Sequence, residues 1–153
     1  MKLSTKGRYA MVALVDIALQ DGDDLVTLNE IAKRQDISLP YLEQLFVKLR
    51  RAELVASVRG PGGGYRLARP ASEIRVVDVL AAVDESVSAL QKGAGASGAA
   101  SGSKAQSMSN RLWESLSAQV YVFLHQTRLS DVVSNTLAPC PAVPTLFAVV
   151  DED

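Results

Sequence analysis

Apolar side chains recur at close to helical spacing near the start of the chain. Within residues 8–20, Tyr9, Val12, Ala13, Ile17 and Leu19 predict an amphipathic helix. Asp21-Gly22-Asp23-Asp24 ends it as a polar turn. Thr27-Leu28-Asn29-Glu30 then has the form of a capping box, in which the Thr hydroxyl accepts from the Glu amide while the Glu carboxylate reaches back. A short helix follows through about Gln35. Asp36-Ile37-Ser38 turns the chain again, with Ser38 suited to cap a third helix and Pro40 to its first turn, where few amides have partners. Leu42, Leu45, Phe46 and Leu49 supply the buried face of that helix, which runs to about Ala52.

The period then changes. Leu54-Val55-Ala56-Ser57-Val58 and Tyr65-Arg66-Leu67 are short β-compatible pieces, separated by the turn-forming Arg59-Gly60-Pro61-Gly62-Gly63-Gly64. Helix, short helix, helix and a two-stranded wing is the layout of a winged helix-turn-helix. Arg75 to Val83 predicts a further helix beside the wing. Residues 88–110 are dominated by Gly, Ala, Ser, Lys and Gln and cannot bury enough apolar surface to offset their ordering entropy, which predicts a flexible loop.

The apolar pattern returns from Arg111 to about His125, with Leu112, Trp113, Leu116, Val120, Phe123 and Leu124 on one stripe. The segment before the loop has its own core, so this helix needs another surface to cover it, and a partner chain is the reading adopted. The tail from Ser134 contains Pro139, Pro141 and Pro144 and is expected to be irregular. The expected organisation is a DNA-binding unit over 1–87, a loop over 88–110, a dimerisation helix region over 111–133 and a tail over 134–153. The fold class is mainly α with a small β-wing.

Charge sharpens the picture. The 153 residues carry a net charge of −1, but residues 1–70 hold 11 Lys and Arg against 8 Asp and Glu, and the remainder is acidic. Between 48 and 69, Lys48, Arg50, Arg51, Arg59, Arg66 and Arg69 face only Glu53, a patch that attracts a polyanion such as DNA. No apolar run approaches the roughly 18–20 residues of a membrane span, and the N-terminus lacks a signal-peptide apolar core. A single cysteine excludes an intramolecular disulfide. A cytoplasmic location without membrane contact is expected.

In a helix-turn-helix the second helix of the pair enters the major groove, its N-terminal side chains reaching base edges. Here Ser38, Tyr41 and Gln44 lie on the face opposite the apolar stripe, with Glu43 at its margin. Gln pairs with adenine, Ser donates to a base or phosphate, and Glu accepts from the cytosine amino group. The plainer reading is a solvated polar helix face; the attached wing argues against it. Arg59, before a turn that Gly60 and Gly62 keep tight, suits a narrow minor groove, while Lys48, Arg50 and Arg51 suit phosphates. The glycines match neither a P-loop nor a dinucleotide fingerprint, which would need Gly where Tyr65 stands. One His and one Cys without an orienting motif give no catalytic constellation, and Asp84-Glu85 reads as a solvated helix end. The chain is not expected to be an enzyme.

Three segments resemble the Rrf2 family of bacterial regulators: residues 1–10, Ile37 to Leu45, and above all Val58-Arg59-Gly60-Pro61-Gly62-Gly63-Gly64-Tyr65. With Ala82-Val83-Asp84-Glu85-Ser86-Val87, the likeness is to the branch that regulates iron–sulfur cluster assembly. It covers roughly residues 1–90 and resumes at Leu112-Trp113. The resemblance implies a homodimer with a long helix crossing between subunits, a regulator (a repressor) of iron–sulfur and iron-responsive genes, and DNA reading by Ser38, Glu43, Gln44 and Arg59. It also implies a [2Fe–2S] cluster held by three cysteines and a histidine before the Leu-Trp pair. Counting back from Trp113, those positions hold Asn110, Ser107 and Ser101, with the first near Gly95. None is a thiolate, so the usual ligands are absent. Two alternatives stay open. The protein works without a cluster, or it binds one differently, through Cys140 with oxygen or nitrogen ligands or with Cys140 of a second chain. His125, the one histidine, is the nitrogen ligand available. The plainer readings are a helix-surface histidine and a tail thiol.

Overall fold

The computed structural model describes residues 5–20, 24–84 and 103–137. Helix α1 spans Thr5–Leu19, α2 Leu28–Gln35 and α3 Leu39–Arg51; strands β1, Val55–Val58, and β2, Gly64–Leu67, follow. After a 3-10 turn at Ala71–Glu73 come α4, Val76–Ala82, α5, Lys104–Gln126, and α6, Leu129–Val133. The molecule is helical around one small antiparallel sheet.

The Thr27 capping box forms as the sequence predicts. Thr27 Oγ1 accepts from the Glu30 N–H at 3.2 Å and Glu30 Oε2 from the Thr27 N–H at 2.8 Å. Ser38 holds the N-cap position of α3, although its hydroxyl makes no capping bond. The α3 face of Leu42, Leu45, Phe46 and Leu49 is buried. In α1 the predicted stripe needs correction. Val12 and Leu19 are exposed, and Ala10, Ala13, Leu14 and Ile17 turn inward. Two alanines on that face let α1 approach its neighbours closely, and Leu14 and Ile17 supply the volume.

Strand β2 pairs with β1 in the register Val55↔Leu67 to Val58↔Gly64. A further bridge joins Val26, before α2, to Tyr65: the Val26 N–H donates to the Tyr65 carbonyl at 2.9 Å and the Tyr65 N–H to that of Val26 at 2.7 Å. The wing thereby gains a third backbone segment on the other edge of β2, which ties it to the stretch between α1 and α2.

Helix α5 begins at Lys104, not at Arg111, so 104–110 belong to the helix and not to the predicted loop. A second capping box explains the early start, with Ser103 Oγ accepting from the Gln106 N–H and Gln106 Oε1 from the Ser103 N–H, both at 3.2 Å. The small-residue composition around Ser103 hides this signal. At the other end the chain returns to the first unit. The Val76 N–H donates to the Thr127 carbonyl at 2.9 Å, the Leu129 N–H donates to that of Ile74 at 2.8 Å, and Leu129 is buried in the same core as Leu14, Phe46 and Val79. Helix α6, which the sequence did not announce, carries that leucine. Among the described residues, no helix is long and apolar enough to cross a membrane.

Candidate nucleic-acid interface

Burial of Leu42, Leu45, Phe46 and Leu49 fixes the rotation of α3, and hence what it presents. Ser38, Glu43, Gln44 and Arg51 are exposed along its outer side. Val47 is 49% exposed among them. It lies one turn beyond Gln44 and off the buried stripe, the signal by which the sequence could have singled it out. Tyr41 differs from expectation. It is half-buried, its ring edge-on to Tyr9 with centroids 5.6 Å apart at 88°, so α1 packs against the beginning of the helix at the edge of the outer face.

The three cations predicted on α3 are not equivalent. Lys48 Nζ donates to Asp84 Oδ2 at 2.7 Å, across from α3 to the end of α4. The ammonium beside it holds the Asp84 carboxyl below the usual carboxylate range. Arg50 turns towards the wing, with Nη1 3.4 Å from Ser57 Oγ on β1. Arg51 is open to solvent.

The wing tip is a four-residue turn closed by the Gly63 N–H donating to the Gly60 carbonyl at 2.9 Å. Gly60 and Gly62 have φ of +102° and +75°. With Pro61 and Gly62 as its central residues, this is the form of a type II turn, where a side chain at the second central position is strained. Arg59 is exposed where β1 enters that turn. Beneath it, Phe46 of α3 and Tyr65 of β2 stack edge to face, centroids 4.8 Å apart at 70°. The side chains of α3 and Arg59 therefore stand on a single rigid support.

The support is braced by one buried charge. Asp16 of α1 is 3% exposed and accepts from Arg34 Nε at 3.0 Å, Arg34 Nη2 at 2.6 Å and Gln35 Nε2 at 2.8 Å. The Arg34 guanidinium holds the Asp16 carboxyl below its ordinary range against the opposing effect of burial. This clamp orients α2, the first helix of the pair, against α1.

The positions that would carry a cluster are different in character. Ser107 and Asn110 lie in the first turns of α5 with hydroxyl and amide side chains. Neutral oxygen donors do not fit a soft iron–sulfur cluster. His125, at the far end of α5, is stacked on Tyr121 with its ring nitrogens 3.0 Å from Arg75 Nη1, a guanidinium that disfavours a second cation there. Among the described residues, no group of three or more His, Cys, Asp or Glu side chains could hold a metal ion. Cys140, Ser101 and Gly95 lie outside the described residues.

A recognition helix beside a two-stranded wing makes this a winged helix-turn-helix regulator, a sequence-specific DNA-binding protein. The chain belongs to the Rrf2 family, described as iron-dependent transcriptional regulators, whose sequence profile matches residues 3–135. An HTH-type transcriptional regulator IscR from Cereibacter sphaeroides is 72% identical over 155 residues, covering 100% of both chains. One of the same name from Sodalis glossinidius is 50% identical over 135 residues, 88% of this chain and 80% of its own. Among solved structures, CymR, the global cysteine regulator of B. subtilis, superposes with a TM-score of 0.75 at 31% identity, covering 88% of this chain and 98% of that one. The T. potens IscR structure does so with 0.69 at 34% identity, covering 94% and 96%.

Proposed function

We propose that the chain is a homodimeric repressor of iron–sulfur cluster assembly and other iron-responsive genes. It reads the major groove with α3 and the minor groove with Arg59. The observation that carries this is the Phe46–Tyr65 contact, which holds the two reading elements on one support. Gln44 reads adenine, Glu43 accepts from cytosine, and Ser38 donates to a base or phosphate. Val47 meets a thymine methyl group, the apolar contact a major groove offers. Tyr41, Lys48, Arg50 and Arg51 line the phosphate walls, and the Gly60–Gly62 turn lets the wing approach the minor groove closely. The relatives named IscR and the iron dependence of the family support the choice of genes.

The partner chain is a second copy. On α5, Leu112, Trp113, Leu116 and Phe123 are 60%, 40%, 40% and 55% exposed, an apolar face too large to leave in water. Two copies present two recognition helices to a two-fold operator. The test is a gel-shift titration with promoter fragments of cluster-assembly genes. Wild type binds a subset of them and Arg59→Ala loses that binding; unchanged affinity in Arg59→Ala would sink the assignment of the wing.

A second reading concerns the signal. The chain has one thiol, Cys140, and the iron dependence of the family favours a cluster held through it in a non-standard way. Iron and acid-labile sulfide analysis of anaerobically purified protein decides, with Cys140→Ala as control. Iron-free, colourless wild type leaves the repressor reading standing and removes the sensor.

A further inference from the structure

The contact between Lys48 and Asp84 joins two elements that perform different tasks. Lys48 belongs to the recognition helix, on the flank away from Arg50 and the wing. Asp84 follows α4 at a backbone φ of +60°, its N–H donating to the Ala81 carbonyl at 3.2 Å. The lysine is 37% exposed and the carboxylate 72%. An acidic side chain so open to water has no need of a partner for its own solvation. It nevertheless sits 2.7 Å from the ammonium, at the distance of a charge-assisted hydrogen bond to a phosphate oxygen. A lysine of the reading helix thus meets an anion beside the reading face.

We propose that Lys48 is a contact for a DNA backbone phosphate on the flank of α3 opposite the wing, and that Asp84 occupies that place in the DNA-free chain. The inference rests on α3 and Arg59 reading DNA as proposed above. A helix lying in the major groove has a phosphate wall on either side of it. Arg50 serves the wall at the wing. Lys48 serves the other, and the resident carboxylate must leave or be neutralised before the phosphate enters. Exposed ion pairs are weak, so Asp84 tunes affinity and does not block it. Its effect is to keep non-specific binding low, because the contact it opposes carries no sequence information.

Asp84→Asn tests this with little disturbance, since Asn is at home in the left-handed backbone region that residue 84 occupies. Operator and unrelated duplexes are titrated by fluorescence anisotropy between about 50 and 200 mM salt. Asp84→Asn is expected to bind both duplexes about two- to fivefold more tightly, the range of an exposed ion pair. The magnitude of its log-affinity against log-salt slope is expected to rise by about 0.9, one phosphate's worth. The gain shrinks in a Lys48→Ala background. Weaker or unchanged binding by Asp84→Asn would overturn the proposal, as would a gain that persists in full without Lys48. Arg59→Ala, run beside it, separates the failures. If Arg59→Ala loses operator binding while Asp84→Asn is silent, the DNA reading stands and the phosphate stand-in falls. If neither variant responds, both fall.

Discussion

Phe46 and Tyr65 meet edge to face, with ring centroids 4.8 Å apart at 70°, and this contact joins the wing to the recognition helix. Phe46 is fully buried and Tyr65 half-buried, so the pair sits where core becomes surface. The backbone of Tyr65 is held as well, by its rungs to Val26 and its pairing with Ser57.

Removing the two rings has separable consequences. Phe46→Ala opens a cavity in the core and is expected to cost about 3–5 kcal/mol of folding stability. Tyr65→Leu keeps an apolar side chain and a paired backbone, so it loses about 0.5–1.5 kcal/mol for the aromatic contact. Its operator affinity falls by more than that, because Arg59 is no longer aimed. Urea unfolding followed by circular dichroism, set beside a DNA titration, measures both. Equal losses in stability and affinity for Tyr65→Leu would show that the contact does not orient the wing.

The clamp on Asp16 predicts how stability responds to acid. The guanidinium of Arg34 lowers the folded-state pKa of Asp16 below its unfolded value of about 3.9. A depressed carboxylate contributes stability that is fully present above the unfolded value and is lost as pH falls through the folded one. In Arg34→Ala, burial is expected to outweigh the remaining bond from Gln35 and to raise the folded pKa above the unfolded one. The contribution is then retained in acid and lost as pH rises through the folded value. Stability should therefore increase from pH 3 to 6 through this group in wild type and decrease in the variant, with Asp16→Asn flat between them. Denaturant midpoints across that range check it; parallel profiles for wild type and Arg34→Ala would refute the clamp.

These contacts mark where the sequence was legible and where it was not. The α3 stripe of Leu42, Leu45, Phe46 and Leu49 and the Thr27 capping box are local patterns, and local patterns survive into the fold. The wing turn could be read because Gly60 and Gly62 stand where positive φ is required. What escaped depends on distant partners. Val12 and Leu19 fit a helical stripe as well as Ala10 and Leu14 do, and only the neighbours of α1 decide which face is covered. Asp16 has no partner within its own stretch of sequence; Arg34, on another helix, is brought to it by the fold. Tyr41 reads as a fully exposed residue until Tyr9 meets its edge. Leu129 is separated from the rest of its core by the whole of α5, so no window of sequence could have assigned it there. On the candidate site, residue types and their order along α3 were readable, whereas the engagement of Lys48 by Asp84 was not.

Specificity on α3 is expected to depend on one carboxylate. Glu43 is exposed beside Gln44; with α3 in the major groove as proposed, its carboxylate would penalise any site that offers no amino group to accept from. Glu43→Ala should bind a wider set of promoters, with discrimination reduced by about 1–3 kcal/mol at the affected base pair. Selection of bound sequences from a random duplex pool gives the answer. A uniform loss across all sites would mean that Glu43 supports affinity and does not filter.

The apolar face of α5 makes the last prediction. A helix of 23 residues is about 34 Å long; His125, at its C-terminal end, meets Arg75 at the start of α4, and among the described residues none of its side chains is buried. Leu112, Trp113 and Leu116 recur at helical spacing on the part that leads away from that end. Leu116→Glu places a charge in the middle of this stripe, where a partner would have to desolvate it. The single chain keeps its core, since Leu116 is exposed within it. Sedimentation velocity should therefore report a monomer for the variant and a dimer for wild type, at unchanged helical content. Operator affinity should fall by about a hundredfold or more, because two half-sites can no longer be engaged by one linked pair. A dimer that persists in Leu116→Glu would place the partner contact elsewhere on the chain, and α5 would then need another occupant for its apolar face.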